Sequence, residues 1–263
     1  MATNQKESVP AAPSSVTQND ISAGLRSLGL PEGAIVLMHS SLSSLGHVQG
    51  GARAVIDGVL DALGPTGSLV VPTLTFRGFE KSNRRFDSRT QPSETGLITE
   101  TLRCRSDAYR SLHPLSSVAA VGARAEEITA WHGDTPCGPG SPYWKLWEWG
   151  GHCLFVGVGF GSNSMFHVAE DLVRPAYLSY DEEAEVVVID RHGRESIRTF
   201  RRYACSRLGI TRYLAKMESV YEDASVVKSV MIGRSLVRTL SAEDNVALAS
   251  DLLRDRPEWI LTK

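Results

Sequence analysis

At 263 residues, with 42% hydrophobic and 22% charged side chains and a formal net charge of -2, the chain is long enough to bury a substantial core and carries no charge excess pointing to nucleic acid or an anionic membrane. No apolar run is long enough to span a bilayer. The four cysteines, Cys104, Cys137, Cys153 and Cys205, have no C-x-x-C spacing, so no metal site is expected, and with no secretory leader before the first strand a reducing cytoplasm is the expected setting.

Residues 1–19 are polar and rich in Ser, Pro, Ala, Gln and Asn, too poor in apolar surface to order themselves, and are read as a disordered tail. Residues 20–263 then form one domain with two lobes. Asn19 and Asp20 are placed to cap a helix through Leu28 that Gly29 closes, and residues 34–39 read as a buried strand followed by a glycine-bearing turn. From Gly51, the apolar residues Val55, Ile56, Val59, Leu60 and Leu63 recur at helical spacing until Gly64-Pro65-Thr66-Gly67, and residues 68–75 form the next strand. This strand, helix, strand order predicts an α/β fold with a central mixed sheet flanked by helices.

Residues 77–93 carry Arg77, Lys81, Arg84, Arg85 and Arg89 without apolar periodicity, a long excursion before a helix at 95–105. A strand at 117–121, a helix at 123–131, a Pro- and Gly-rich loop at 134–142, a helix at 143–149 and a strand at 152–158 follow. Strands at 185–190 and 196–200 around an Arg191-His192-Gly193-Arg194 turn look like a hairpin, and a strand at 226–232 and a helix at 241–254 complete the chain.

The strand at 152–158 runs through Gly157, Gly159 and Gly161 into His167, with Glu170 three residues on. If the chain turns helical near Asn163 the two share a face, so the carboxylate accepts from one ring nitrogen, fixes the tautomer and leaves the other nitrogen to act as a general base. A bare H-x-x-E equally describes a half-buried histidine beside an unrelated surface glutamate. The three glycines are a weak match to a dinucleotide loop, because Ser162 stands where a further glycine belongs, and a turn delivering His167 to a cleft is the better account. Cys137 is open to two readings, an inert loop residue or a thiol nucleophile paired with His167 in an acyl hydrolase. His39 ends a strand either as a core imidazole or as a polar group at the sheet's carboxyl edge. The acidic run Asp181 to Glu185 reads as a solvated face or as an attractor of a polyamine. The arginines at 191, 194, 198, 201, 202, 207 and 212 read as a solvated face or as a partner for the phosphates of a cosubstrate.

Taken in order, His39-Ser40-Ser41-Leu42 with Leu45-Gly46 and Gly50-Gly51, Gly64-Pro65-Thr66-Gly67 with Pro72-Thr73, Phe86-Asp87 with Pro92-Ser93-Glu94-Thr95-Gly96, Arg110-Ser111-Leu112-His113-Pro114, Ser117 to Gly122, Ser141-Pro142, Gly157-Val158-Gly159 and Asn163 to Glu170 resemble the aminoglycoside 3-N-acetyltransferase family, a non-GNAT group, over most of the chain. The resemblance implies an aminoglycoside 3-N-acetyltransferase-like fold and direct acetyl transfer from acetyl-CoA to a small-molecule amine, the 3-amino group of a 2-deoxystreptamine aminoglycoside or another amine, with no metal. It implies His167 as general base, Glu170 as its orienter and His39 as a second polar group. Ser40, Ser41, Leu42, Gly46, Val48, Thr75, Ser116 and Ser117 are expected near CoA. Neither nucleic acid nor a membrane is expected as a partner, and a homodimer is left open. Leu115-Ser116 departs from the pair common after His-Pro in the resistance enzymes of that family, and Trp144, Trp147 and Trp149 map onto no acceptor feature.

Overall fold

The structure, a computed structural model, describes residues 15–77 and 83–261. It opens with α1 (Gln18–Ser27), whose N-cap is Thr17 and not Asn19 or Asp20: Thr17 and Asp20 form a reciprocal capping box. Val16 is buried and bridges to Val48, so the fold already includes residues 15–19, which composition alone had assigned to the tail. Residues 1–14 lie outside the described residues.

Next come β1 (Ile35–Ser40), α2 (Gly51–Leu63) and β2 (Ser68–Pro72), then β3 (Arg85–Asp87), a short strand within the expected excursion at 77–93, and α3 (Leu97–Arg103). They are followed by β4 (Tyr109–Arg110), β5 (Val118–Gly122), α4 (Ala125–Thr129), α5 (Pro142–Glu148), β6 (His152–Val156) and α6 (Phe166–Val173). The hairpin expected around residues 191–194 is β7 (Ala184–Ile189) with β8 (Glu195–Phe200). After α7 (Met217–Asp223), β9 (Lys228–Ile232) and β10 (Ser235–Ser241), α8 (Ala242–Asp255) ends the regular structure apart from a 3-10 turn.

The main sheet has seven strands in the order β4-β5-β2-β1-β6-β10-β9. β1 is parallel to both β2 and β6, and the outer pairings are antiparallel, so the sheet is mixed. Helices cover both faces, which is why β1 reads as a continuous apolar run and not an alternating one. Its side chains still alternate. Ile35 and Leu37 join the core formed with α5, α6 and α8, whereas Val36 and Met38 join the core formed with α1 and α2. His39 continues the first set, and its ring stacks on Phe155 of β6, its registered neighbour. A separate three-stranded sheet, β3-β7-β8, is closed by Phe86, Val186, Val188 and Phe200.

Candidate active site

α6 is held in place by buried polar bonds. Asn163 accepts from the backbone N–H of Met165 at 3.2 Å and donates to Asn245 of α8 at 3.0 Å, while Tyr221 of α7 donates to the same Asn245 oxygen at 2.9 Å. Phe166, Val168 and Ala169 face the core, so His167 turns outward and its side chain keeps 20% exposure. The turn leading to it needs glycine at 157: φ is +64°, and a Cβ there would lie 1.8 Å from Ser44 Oγ.

The pairing expected from H-x-x-E is present, with His167 Nδ1 2.6 Å from Glu170 Oε2. The carboxylate is fully buried, and it also accepts from Tyr177 OH at 2.8 Å and Arg212 Nη1 at 2.9 Å. Burial pushes its pKa up, but the His167 contact, Arg212 and the Tyr177 hydroxyl outweigh this and hold it below the usual carboxylate range. A carboxylate accepts only, so in the neutral ring Nδ1 carries the proton and Nε2 the lone pair. Tyr203 lies against the imidazole with ring centroids 5.3 Å apart, and its hydroxyl donates to Asp171 Oδ2 at 2.6 Å.

Three cavities in series lead to His167. One of about 550 Å³ is lined by His167, Ser164, Cys137, Tyr203, Leu115 and Ser116, among others. A smaller one of about 250 Å³ holds His39 and shares Leu74 and Ser164 with the first. It shares Ser40 with an open groove lined by Ser41, Leu42, Gly46, Val48 and the first residue of α2, Gly51. Ser40 Oγ, at the junction, is buried and has no hydrogen-bond partner. Shared walls thus connect a surface groove, by way of His39, to His167.

Five of the eight residues expected near CoA, Ser40, Ser41, Leu42, Gly46 and Val48, line that groove. Ser116 lines the His167 cavity instead. Thr75 and Ser117 are fully buried and line none of the three: Thr75 donates to the Pro114 carbonyl, and Ser117 donates to the Thr73 carbonyl at 2.9 Å. They hold the backbone that carries the wall. His113 does the same more directly, since its Nδ1 accepts from the N–H groups of Leu115 and Ser116 at 3.2 and 3.1 Å. His39 accepts from the Ser164 N–H at 3.4 Å, and burial, with the nearby His167, drops its pKa to about 3, so it is a neutral imidazole.

Cys137 lines the His167 cavity, but burial raises its pKa well above that of a free thiol, with the Asp171 carboxylate adding to the effect. Its sulfur donates weakly to the Ser164 carbonyl, at 3.9 Å, and the Tyr203 hydroxyl beside it only partly offsets the burial. It is a protonated thiol, which removes the nucleophile an acyl hydrolase needs. Trp144 and Trp147 stack edge to face on α5, and Trp149 lies beneath Arg124, outside all three cavities. Among the described residues no group of His, Cys, Asp or Glu side chains is arranged to hold a metal ion, and no helix is long and apolar enough to cross a membrane.

A family model described as aminoglycoside 3-N-acetyltransferase matches residues 37–254, a span that includes most of β1, the glycine turn and the His167–Glu170 pair. The chain belongs to that family. Among its relatives, aminoglycoside N(3)-acetyltransferase VII of Streptomyces paromomycinus is 32% identical over 192 residues, 66% of this chain and 67% of the relative. Aminoglycoside N(3)-acetyltransferase VIII of Streptomyces fradiae is 28% identical across 98% of this chain and 96% of its own. The crystal structure of aminoglycoside acetyltransferase AAC(3)-Xa superposes with a TM-score of 0.81 at 29% identity, covering 94% of each chain. The YokD protein of Bacillus subtilis gives 0.77 at 26% identity, covering 91% of this chain and all of that one. The mixed α/β architecture is that of this family, and the chain is an enzyme of the acyltransferase class. Two partners of Glu170, Tyr177 and Arg212, carry no signal in the sequence beyond the place of Arg212 in the arginine-rich stretch.

Proposed function

We propose that the chain transfers the acetyl group of acetyl-CoA to an amino group of an aminoglycoside, the 3-amino group of the 2-deoxystreptamine ring being the position its relatives are named for, with His167 as general base. The observation that carries this is the 2.6 Å contact between His167 Nδ1 and the buried Glu170 carboxylate, with His167 on the wall of a cavity that the groove reaches by way of the His39 pocket.

An ammonium is not a nucleophile, so the acceptor must lose a proton before it attacks the thioester carbonyl. Nε2 of His167 takes that proton, Glu170 stabilises the imidazolium that results, and the proton then goes to the departing thiolate of CoA. Each turnover leaves one amide and one free thiol, with no acyl-enzyme. His39 is neutral and accepts the Ser164 N–H, so it orients the wall of the passage and takes no proton itself. The groove fits an extended donor: it is open, it reaches the start of α2, a helix N-terminus with no side-chain cap that suits phosphates, and it leads inward past the unpartnered Ser40 hydroxyl. Four free thiols and the need for acetyl-CoA support a cytoplasmic setting. The test is release of free thiol from acetyl-CoA with a panel of aminoglycosides and simpler amines, with product identified by mass spectrometry. Turnover that needs His167 and yields a 3-N-acetyl product is expected; no thiol with any amine overturns the reading.

A further inference from the structure

The charge around the acceptor cavity is unusual for a site that meets polyamines. Three arginines, Arg202, Arg207 and Arg212, line the cavity that holds His167, and among the described residues no carboxylate does. Arg212 is committed to Glu170 beneath the histidine. Arg202 and Arg207 both grip a single carboxylate, Asp181. Arg207 Nε donates to Oδ1 at 2.9 Å, Arg207 Nη2 binds the same oxygen, and Arg202 Nε binds Oδ2. The backbone joins in, since the Asp181 N–H donates to the Arg202 carbonyl at 2.9 Å. The Asp181 side chain is 14% exposed against 47% and 59% for its two arginines, so what faces solvent is the cationic side of the cluster. Arg207 and, behind it, Arg202 hold Asp181 below the usual carboxylate range, so it stays ionised.

Asp181 faces a second cavity of about 720 Å³, which shares Leu115, Arg202 and Arg207 with the His167 cavity. Asp181 is therefore the carboxylate bound to the wall between the two, and both arginines occupy it. Glu183, farther along the second cavity, is tied to Arg201 in the same way, and Glu182 is exposed there. Two guanidinium groups on one carboxylate leave a positive charge over, at the wall of a site whose lining among the described residues offers no carboxylate to offset it. Fields of that sign repel extra ammonium groups and attract anions.

We propose that the Arg202–Asp181–Arg207 clamp determines acceptor selectivity: it occupies the carboxylate a further ammonium group would need, keeps the shared wall cationic, and so favours amines with few additional positive charges, most of all those carrying an anionic substituent for Arg207 to receive. The inference rests on the acetyl-transfer reading and ranks its acceptors, placing aminoglycosides with few ammonium groups above the more highly charged ones. It makes Arg202 and Arg207 specificity residues, because they touch the acceptor's surroundings and not the reacting atoms.

The test compares wild type with Arg207→Gln, Arg202→Gln and Asp181→Asn in thiol release from acetyl-CoA, using kanamycin as the polycationic probe, and glucosamine and glucosamine 6-phosphate as probes of lower charge. A partly exposed charge pair is worth up to about fivefold. Arg207→Gln and Arg202→Gln should each raise kcat/KM for kanamycin relative to glucosamine 6-phosphate by about that factor. Asp181→Asn, which frees both arginines, should lower the same ratio. Opposite signs from the two kinds of variant cannot come from a general loss of fold. A ratio that stays put, or moves the same way in all three, overturns the proposal. If wild type releases no thiol with any amine, it is the acetyl-transfer reading that fails. The clamp is then read by calorimetric binding of kanamycin and glucosamine 6-phosphate to the same proteins, where the same opposite shifts are required.

Discussion

Replacing Glu170 by Gln separates what the carboxylate does for tautomer from what it does for charge. Oε2 receives two donors, His167 Nδ1 and Arg212 Nη1, while Oε1 receives only the Tyr177 hydroxyl, whose oxygen is able to accept in turn. The amide oxygen of the introduced glutamine therefore takes the place of Oε2, and its NH₂ faces Tyr177. Nδ1 keeps its proton and Nε2 its lone pair. What is lost is the negative charge opposite the imidazolium, an interaction of about 1.5–3 kcal/mol for a hydrogen bond to a charged group. That corresponds to roughly a 10- to 100-fold fall in kcat. Glu170→Ala removes the orienting oxygen as well and should cost about 10³-fold, near the loss in His167→Ala. Both Glu170 variants leave the Arg212 charge buried without its counter-charge, since the pair is 13% and 0% exposed; the Ala variant also removes its acceptor and should destabilise by about 3–5 kcal/mol, and the Gln variant, which still accepts from Nη1, by less. Adding Arg212→Met to Glu170→Gln should return part of the lost Tm without restoring kcat. The assay is single-turnover thiol release beside thermal unfolding. A Gln variant as slow as His167→Ala would refute the retained tautomer, and one as fast as wild type would remove Glu170 from proton transfer.

Cys137→Ala should retain N-acetyl transfer, and the wild-type thiol should resist alkylation at pH 8, because burial holds it protonated; inactivation by the substitution would restore the thiol nucleophile. Burial, opposed by the Tyr203 hydrogen bond, raises the Asp171 pKa to about 7, so its contribution to stability is full below the unfolded value of 3.8 and is lost as pH rises through 7. Asp171→Asn, which still accepts from Tyr203, should then raise Tm at pH 8 by about 3 °C or more and leave it little changed at pH 4, and a uniform shift would contradict the assignment. Acetyl-CoA should raise the wild-type Tm, and Ser43→Glu, an exposed change in the groove, should weaken CoA binding about tenfold through repulsion of the phosphates without lowering the Tm of the free protein. His113→Ala strands the N–H groups of Leu115 and Ser116 and should cost about 2–4 kcal/mol in urea unfolding, with KM for the acceptor rising.

The elements that were legible in the sequence are those whose side chains have one job. α2 shows its apolar stripe and β1 its apolar run because each buries what it displays. β10 was missed although it lies inside the sheet, because Arg238 interrupts the run. That arginine is buried all the same, with its guanidinium over the Phe160 ring at 4.8 Å and paired with Glu218, a solution visible only in three dimensions. The tail was drawn too long because Val16 and Thr17 act through contacts with Val48 and Asp20, which composition does not weigh. In the site, His167 and Glu170 were readable because three-residue spacing on a helix fixes their contact. Arg212 reaches Glu170 across 42 positions, and no local pattern encodes that. Thr75 and Ser117 sit near the right place in the chain but point into the scaffold, a distinction of one strand face that irregular backbone conceals.

The position of β10 links the site to a segment the ribosome delivers well after it. β6 has β1 on one side and β10 on the other, α6 packs on α8, and Asn163 at the root of the His167 turn bonds Asn245. During synthesis, then, β6 waits with one edge bare for roughly eighty residues, and the histidine's helix has no floor until α8 emerges. Assembly of the base is thereby tied to completion of the sheet. A nascent chain halted before Ser235 would hold every residue of the His167–Glu170–Tyr177–Arg212 cluster without the platform that aligns them, while exposing the unpaired edge of a central strand.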